Sequence, residues 1–326
     1  MQNPIKVWSE VCEYYGPSIN NVNAKFKEWA PDTIEFVDDW IGADVAFDHI
    51  IGAPNRKELV SPLEEGFSNE VIARLELPIV KNAYFFYCNI PEDSEFHKEA
   101  MGRSLVTASY LDIPKYLFPN DGKTQMTWRS EFLRIPLGVD PSDFLLPIGA
   151  HKKEYLIYAW GCSSDPEDEY IESIYKACKA VGGKLLHSGF NYNFDDGKHY
   201  VYVSPAKTKA EVAERYSKCY FANAMRKEDG FELANVEAPL ANCQPITLEK
   251  QPYIYFFACH NGRHSTFVNE RENMVAQLIE IFKEKERICH ITTKDKRFIL
   301  EKFNWRDPVT GFWDELIKQY KEETIS

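Results

Sequence analysis

No stretch of this chain approaches the roughly 18–20 consecutive apolar residues that a membrane-spanning helix requires, and the opening MQNPIKVWSEV lacks a basic region followed by a long apolar run. No transmembrane segment is expected, and the chain reads as cytoplasmic. The eight cysteines (Cys12, Cys88, Cys162, Cys178, Cys219, Cys243, Cys259 and Cys289) include no CxxC pair and no Cys/His spacing of a zinc site. They read as reduced, mostly buried thiols, and no metal is expected. Positive charge is also in short supply: 38 Lys and Arg face 50 Asp and Glu, and a formal charge of −12 repels polyanions. Nucleic acid is therefore disfavoured as a partner unless a local basic groove reverses the field. There is no low-complexity segment and no repeat beyond a general likeness of the two halves.

What is present is apolar material in short pieces. The 326 residues are 44% hydrophobic and 14% aromatic, enough for one large domain or two medium ones, with two the first expectation. Runs of four to seven residues at Ile5–Val11, Thr33–Val37, Ala43–Phe47, Ala83–Cys88, Ser104–Ala108 and Glu131–Ile135 are rich in Val, Ile, Phe and Tyr. Such runs suit strands covered by helices on both faces, so the first half reads as an α/β sheet. The polar loop Pro136–Phe144 precedes Pro147 and Gly149, and the pattern then restarts, which places a boundary near residue 148. The second half opens with the strand YLIYAWG, ending in Gly161, followed by an amphipathic helix from Tyr170 that Gly182 and Gly183 stop. Strands at Lys184–His187, His199–Val203 and Tyr220–Asn223 follow, with helices at Lys209–Cys219, from Ala234 to before Pro245, Glu270–Lys285, Asp295–Phe303 and Phe312–Tyr320.

The most informative stretch is RKEDGFELANVEAPLANCQP, residues 226–245. A short strand leads into a loop with Glu228, Asp229 and Gly230, then a helix whose first turns hold Glu232 and Glu237. Loop amides and a helix start favour an anionic phosphate. One carboxylate at the loop can accept hydrogen bonds from sugar hydroxyls, and a second, eight residues on, can clasp a ribose diol. The plainer reading is a turn at Asp229–Gly230 and two solvated glutamates.

The segment resembles the hallmark of retaining, family 4-like nucleotide-sugar glycosyltransferases of the GT-B fold, E-G-F-G-L-x-x-x-E-A-x-A-x-G-x-P. Further elements agree in the same order: Tyr15–Gly16–Pro17–Ser18 is similar to the phosphate-approaching loop, Asp44-VAFDH with His49 to D-V-V-H-x-H, and Ile135-PLGVDPSDF to the I-P-N-G-V-D hinge. Leu156-IYAWG, Lys209-AEVAERYSKCYFANA and Phe303–Asn304–Trp305 resemble the strand, the helix–strand and the terminal tryptophan element that follow. The resemblance implies two Rossmann-like doubly wound domains facing a cleft. Residues 1–148 would form the acceptor-side domain and 149–305 the donor-binding domain, while 306–326 would form a helix crossing back to the first.

It further implies that Asp229, with Glu228 beside it, and His49 serve catalysis. Gly16, Pro17, Ser18, Gly161, Cys162, Arg226, Lys227, Gly230, Phe231, Glu232, Leu233 and Glu237 would bind the donor, Glu237 through its ribose. On general grounds His49 is more often a packed or capping histidine than a catalytic one, and only the resemblance brings the two readings level. The implied reaction needs no metal and no cofactor, since the nucleotide sugar is a substrate; the acceptor would be a glycan, a polysaccharide intermediate or a small molecule. Two departures stand out: Cys162 occupies the place of the family's phosphate-neutralising Arg, and acids near Glu167 that of its Lys. Either another cation substitutes, Arg226, Lys227, Lys207 and Lys209 being the candidates, or phosphate binding is weak. Glu232 also replaces the second loop glycine. A catalytically impaired scaffold, a phosphorolytic or epimerising enzyme and a DNA-base-modifying variant on the same fold are the alternatives.

Overall fold

Short β-branched and aromatic runs alternating with helical stretches build two six-stranded sheets among the described residues. The computed structural model describes residues 3–9, 24–38, 42–50, 81–86, 105–109, 131–134, 139–144, 152–161, 170–194, 197–226, 232–249 and 266–325. The chain divides into two compact units, one of residues 1–136 with 305–326 and the other of residues 137–304.

The first unit contains β1 (Ile5–Ser9), β2 (Ile34–Val37), β3 (Val45–Ile50), β4 (Lys81–Phe86), β5 (Val106–Ser109) and β6 (Glu131–Arg134). They are all parallel, in the order β2-β1-β3-β4-β5-β6. The helix at the end of the chain, Arg306–Ile325, belongs to this unit, and its Phe312 and Trp313 are fully buried. Their rings meet Phe47 of β3 at 5.0 and 5.3 Å and Phe26 at 5.3 and 6.2 Å, mostly edge-on or tilted. The Trp313 Nε1–H donates to the Phe26 carbonyl at 2.9 Å, so the indole is both packed and satisfied.

The second unit runs β7 (Tyr155–Gly161), α1 (Ile171–Ala180), β8 (Leu185–Gly189), β9 (Tyr200–Val203), α2 (Lys209–Ser217), β10 (Cys219–Asn223), α3 (Ala234–Leu240), β11 (Gln244–Leu248) and β12 (Thr266–Val268). It ends with α4 (Met274–Lys283), α5 (Lys285–Ile288) and α6 (Thr293–Lys302), and the terminal helix is α7 (Arg306–Ile325). The parallel order β12-β11-β10-β7-β8-β9 is the dinucleotide-fold order, in which winding reverses between β7 and β10. Both faces are covered. Ile171, Ile174 and Cys178 of α1 and Leu278 and Phe282 of α4 share one core with Ile157, Ala159 and Phe221, and on the other face Tyr158 packs edge-on against Tyr216 of α2.

Local signals explain the helix ends. Gly182, at φ +70°, closes α1, and the Gly183 amide returns to the Cys178 carbonyl. Side chains cap three helices: Thr208 accepts from the Glu211 amide, Asn273 from Ala276, and Thr292 forms a reciprocal box with Asp295. Two strands, β11 and β12, go beyond the sequence reading. All five residues of β11 are buried although it carries Pro245, a residue that demotes a run as a central strand. The Ala224 amide, just past β10, still reaches the Ile246 carbonyl, so the ladder continues beyond the proline. The unit division falls at residue 137 and not near 148, because Val139 donates to the Phe303 carbonyl and bridges Asn304 in the second unit.

Candidate functional site

Parallel sheets of this winding expose their ligand crevice at the carboxyl ends of the strands, where the order reverses. Here that point lies between β7 and β10. Arg226, three residues beyond β10, reaches across it: its Nη2 donates to the Trp160 carbonyl near the end of β7 at 2.8 Å, and its Nη1 to the Met225 carbonyl at 3.4 Å. Arg226 is 8% exposed as a residue and forms an ion pair through Nε with Glu232 Oε2 at 3.1 Å. Glu232 Oε1 in turn accepts from the Ala234 amide at 3.4 Å, at the start of α3.

A second buried pair lies at the same edge of the sheet. Lys209 opens α2, which leaves the carboxyl end of β9, and Glu237 sits in the first turn of α3, which follows β10. They are 9% and 4% exposed, and the Lys209 ammonium is paired with Glu237 Oε1. Glu237 is thus not the solvated helix residue of the plainer sequence reading. Nearby, Tyr216 is buried, and its hydroxyl is held well above the ordinary phenol range, first by burial and then by the Glu237 charge.

Gly161 and Gly189 meet at the same edge of the sheet. These residues end β7 and β8 side by side, and Gly189 adopts φ +101°. A Cβ on Gly189 would stand 1.9 Å from the Gly161 carbonyl oxygen, so only glycine fits. On β8, His187 is fully buried, stacks on Tyr192 at 5.2 Å and bonds through Nδ1 to the Tyr200 hydroxyl at 2.9 Å. Its Nε2 has no hydrogen-bond partner among the described residues. Burial, and secondarily the charge of Arg226, lowers its pKa to about 4, so the imidazole is neutral at physiological pH.

Of the residues singled out in the sequence, Gly161, Arg226, Glu232, Leu233 and Glu237 lie at this edge. Leu233 is buried at the start of α3, and its carbonyl accepts from the Val236 and Glu237 amides. His49 lies on β3, in register with Phe85, and its side chain is outside the description. Gly16, Pro17, Ser18, Cys162, Lys227, Glu228, Asp229, Gly230 and Phe231 are likewise outside the described residues. Among the candidate cations, Arg226 and Lys209 are buried beside acids, whereas the Lys207 backbone amide donates to Glu211. The pairing of Lys209 with Glu237, 28 residues apart, and the placing of His187 beside Arg226 were missed by sequence reasoning, because no local spacing encodes either. Among the described residues no His/Cys/Asp/Glu group could hold a metal ion, and no helix is long and apolar enough to cross a membrane.

No family model matches the chain, and no curated protein does so by sequence. Solved structures do match by shape. Sucrose-phosphate synthase from Thermosynechococcus elongatus aligns with a TM-score of 0.64 at 10% identity, over 99% of this chain and 100% of its own. Anabaena HepE, solved in complex with UDP and glucose, aligns at 0.60 and 9%, over 97% and 100%. AviGT4, a glycosyltransferase involved in avilamycin A biosynthesis, aligns at 0.53 and 11%, over 98% and 97%. With two parallel doubly wound sheets and near-complete coverage of these glycosyltransferase structures, the chain has the GT-B fold.

Proposed function

We propose that the chain is a retaining glycosyltransferase that moves a hexosyl group from a nucleoside diphosphate sugar to an acceptor hydroxyl, in the cytoplasm, with no metal and no resident cofactor. The observation that carries this reading is the place of Glu237. The second acid of the Asp229…Glu237 pair is a buried carboxylate at the carboxyl edge of a sheet with dinucleotide-fold order. A carboxylate held there is suited to a ribose diol, and the likeness to HepE, which was solved with UDP and glucose, makes UDP the first nucleotide to try. Asp229, with Glu228 beside it, orients the donor sugar, while the backbone of Gly230 to Leu233 and the Gly161 edge approach sugar and phosphate. In this reading a donor phosphate oxygen accepts the acceptor proton as the anomeric C–O bond to phosphate breaks. No enzyme nucleophile is needed, so catalysis rests on orientation and on stabilising the departing diphosphate. The acceptor is a glycan, a polysaccharide intermediate or a small molecule.

The test is thermal stabilisation by UDP-, GDP-, ADP- and dTDP-glucose, with sugar release followed in the same samples. A ligand at 100 times its Kd adds about 2.7 kcal/mol of stability. A shift for one nucleotide, with turnover reduced at least about tenfold in Asp229→Ala, equivalent to about 1.4 kcal/mol, is the expected outcome. No shift and no release with any donor at millimolar concentration would overturn the reading in favour of a non-catalytic subunit.

A further inference from the structure

We infer that Glu232 is an exchangeable counter-ion for Arg226: it neutralises the guanidinium in the ligand-free protein, yields it to the donor's diphosphate on binding, and thereby sets donor affinity. The inference rests on the nucleotide-sugar reading above. Three observations lead to it.

First, Arg226 stands where the winding reverses. Its guanidinium spans from the end of β10 to the Trp160 carbonyl at the end of β7, so the charge belongs in space to the mouth of β7 although it comes from another strand. A buried guanidinium at the ligand edge of a parallel sheet presents planar paired donors, the geometry that fits phosphate oxygens.

Second, Glu232 engages the edge that a phosphate would need. Nη1 and Nη2 point to backbone carbonyls, while Nε faces the carboxylate. A phosphate binding in two-point fashion along the Nε–Nη2 edge competes directly with Glu232. The exchange replaces one anion by another and leaves the buried charge compensated, which avoids the penalty of an unpaired ion.

Third, the two partners are unequally buried. The Arg226 side chain is 9% exposed and that of Glu232 is 16%. Glu232 lies outside α3, two residues before its first residue, Ala234. Rotation of its carboxylate toward water therefore requires no helix to move. The Lys209–Glu237 pair differs in this respect, since both of its members lie within helices and are buried.

The experiment is calorimetric titration of UDP, inorganic pyrophosphate and uridine into wild type, Glu232→Gln, Glu232→Asp and Arg226→Lys, each first checked for folding by circular dichroism. Glu232→Gln removes the competing charge and should tighten UDP and pyrophosphate by about three- to tenfold. Glu232→Asp retains the charge and should stay near wild type. Arg226→Lys loses the planar fork and should weaken both anions by at least about tenfold, and uridine should bind equally to every variant. UDP binding that Glu232→Gln leaves unchanged or weakens would overturn the exchange while leaving the donor reading intact. Failure of UDP, GDP, ADP, dTDP and pyrophosphate alike to bind wild type would overturn both.

Discussion

Both units are built on parallel, doubly wound sheets of different strand order, and the aromatic cluster of the first contrasts with the carboxyl edge of the second. Around β1, β3 and α7 the first unit is filled with aromatic carbon: Phe26, Phe47, Phe312 and Trp313 lie within 6.2 Å of one another by ring centroid. At the carboxyl edge of the second sheet the buried groups are charged, with Arg226, Lys209 and Glu237 all under 10% exposed. Packed rings gain from burial without any partner, whereas a buried ion is tolerable only beside its counter-ion. The difference separates a region held by packed rings from one held by paired charges.

The sharpest way to break that contrast is to remove Trp313. Trp313→Ala deletes the largest fully buried side chain among the described residues and removes its hydrogen bond to the Phe26 carbonyl, a loss of about 3–5 kcal/mol from the cavity with roughly 1 kcal/mol more from the hydrogen bond. Denaturant titration should record that drop, and hydrogen exchange should accelerate in β1 and β3 before β7 and β10. Equal acceleration in both units would show that their cohesion is shared.

The next largest effect belongs to the charged edge. Glu237→Ala leaves Lys209 buried without its carboxylate and should cost about 3–5 kcal/mol. The double variant Lys209→Met/Glu237→Leu should regain most of that stability while still failing to bind UDP. A double variant no more stable than the single one would mean that the pair is not what holds α2 against α3.

The smallest effect is the titration of His187. Its imidazole titrates near 6.5 when unfolded and near 4 when folded, so the unfolded chain binds the extra proton between those values. The stability from keeping it neutral is fully present above pH 6.5, falls with acidification, and is gone below about pH 4. The size is on the order of 3 kcal/mol. His187→Gln should flatten the acid limb of the stability curve; an unchanged limb would assign it to the carboxylates.

Much of this architecture was legible in the chain because parallel strands buried on both faces read as short apolar runs. All six strands of the first sheet overlap the runs singled out, and α1 stops at the glycine pair that marks its end. β11 was hidden by Pro245, whose missing amide argues against a central strand, and β12 is only three residues long. At the site, Glu237 and Arg226 were legible through spacing, since eight residues separate the two acids and the loop lies between strand and helix. Their partners were not. Lys209 was one of four candidate cations, and nothing local distinguishes a lysine that will face a glutamate 28 residues away.

The sequence by itself determined the α/β alternation, the presence of two units and the acid-bearing loop that leads into α3, because periodicity, glycine stops and side-chain caps act over a few residues. Only the tertiary structure decided the strand order that opens a crevice between β7 and β10, and which cation meets which acid there. Strand pairing and the Lys209–Glu237 pair join groups tens of residues apart, and the energies of both ion pairs depend on burial that no local segment can specify.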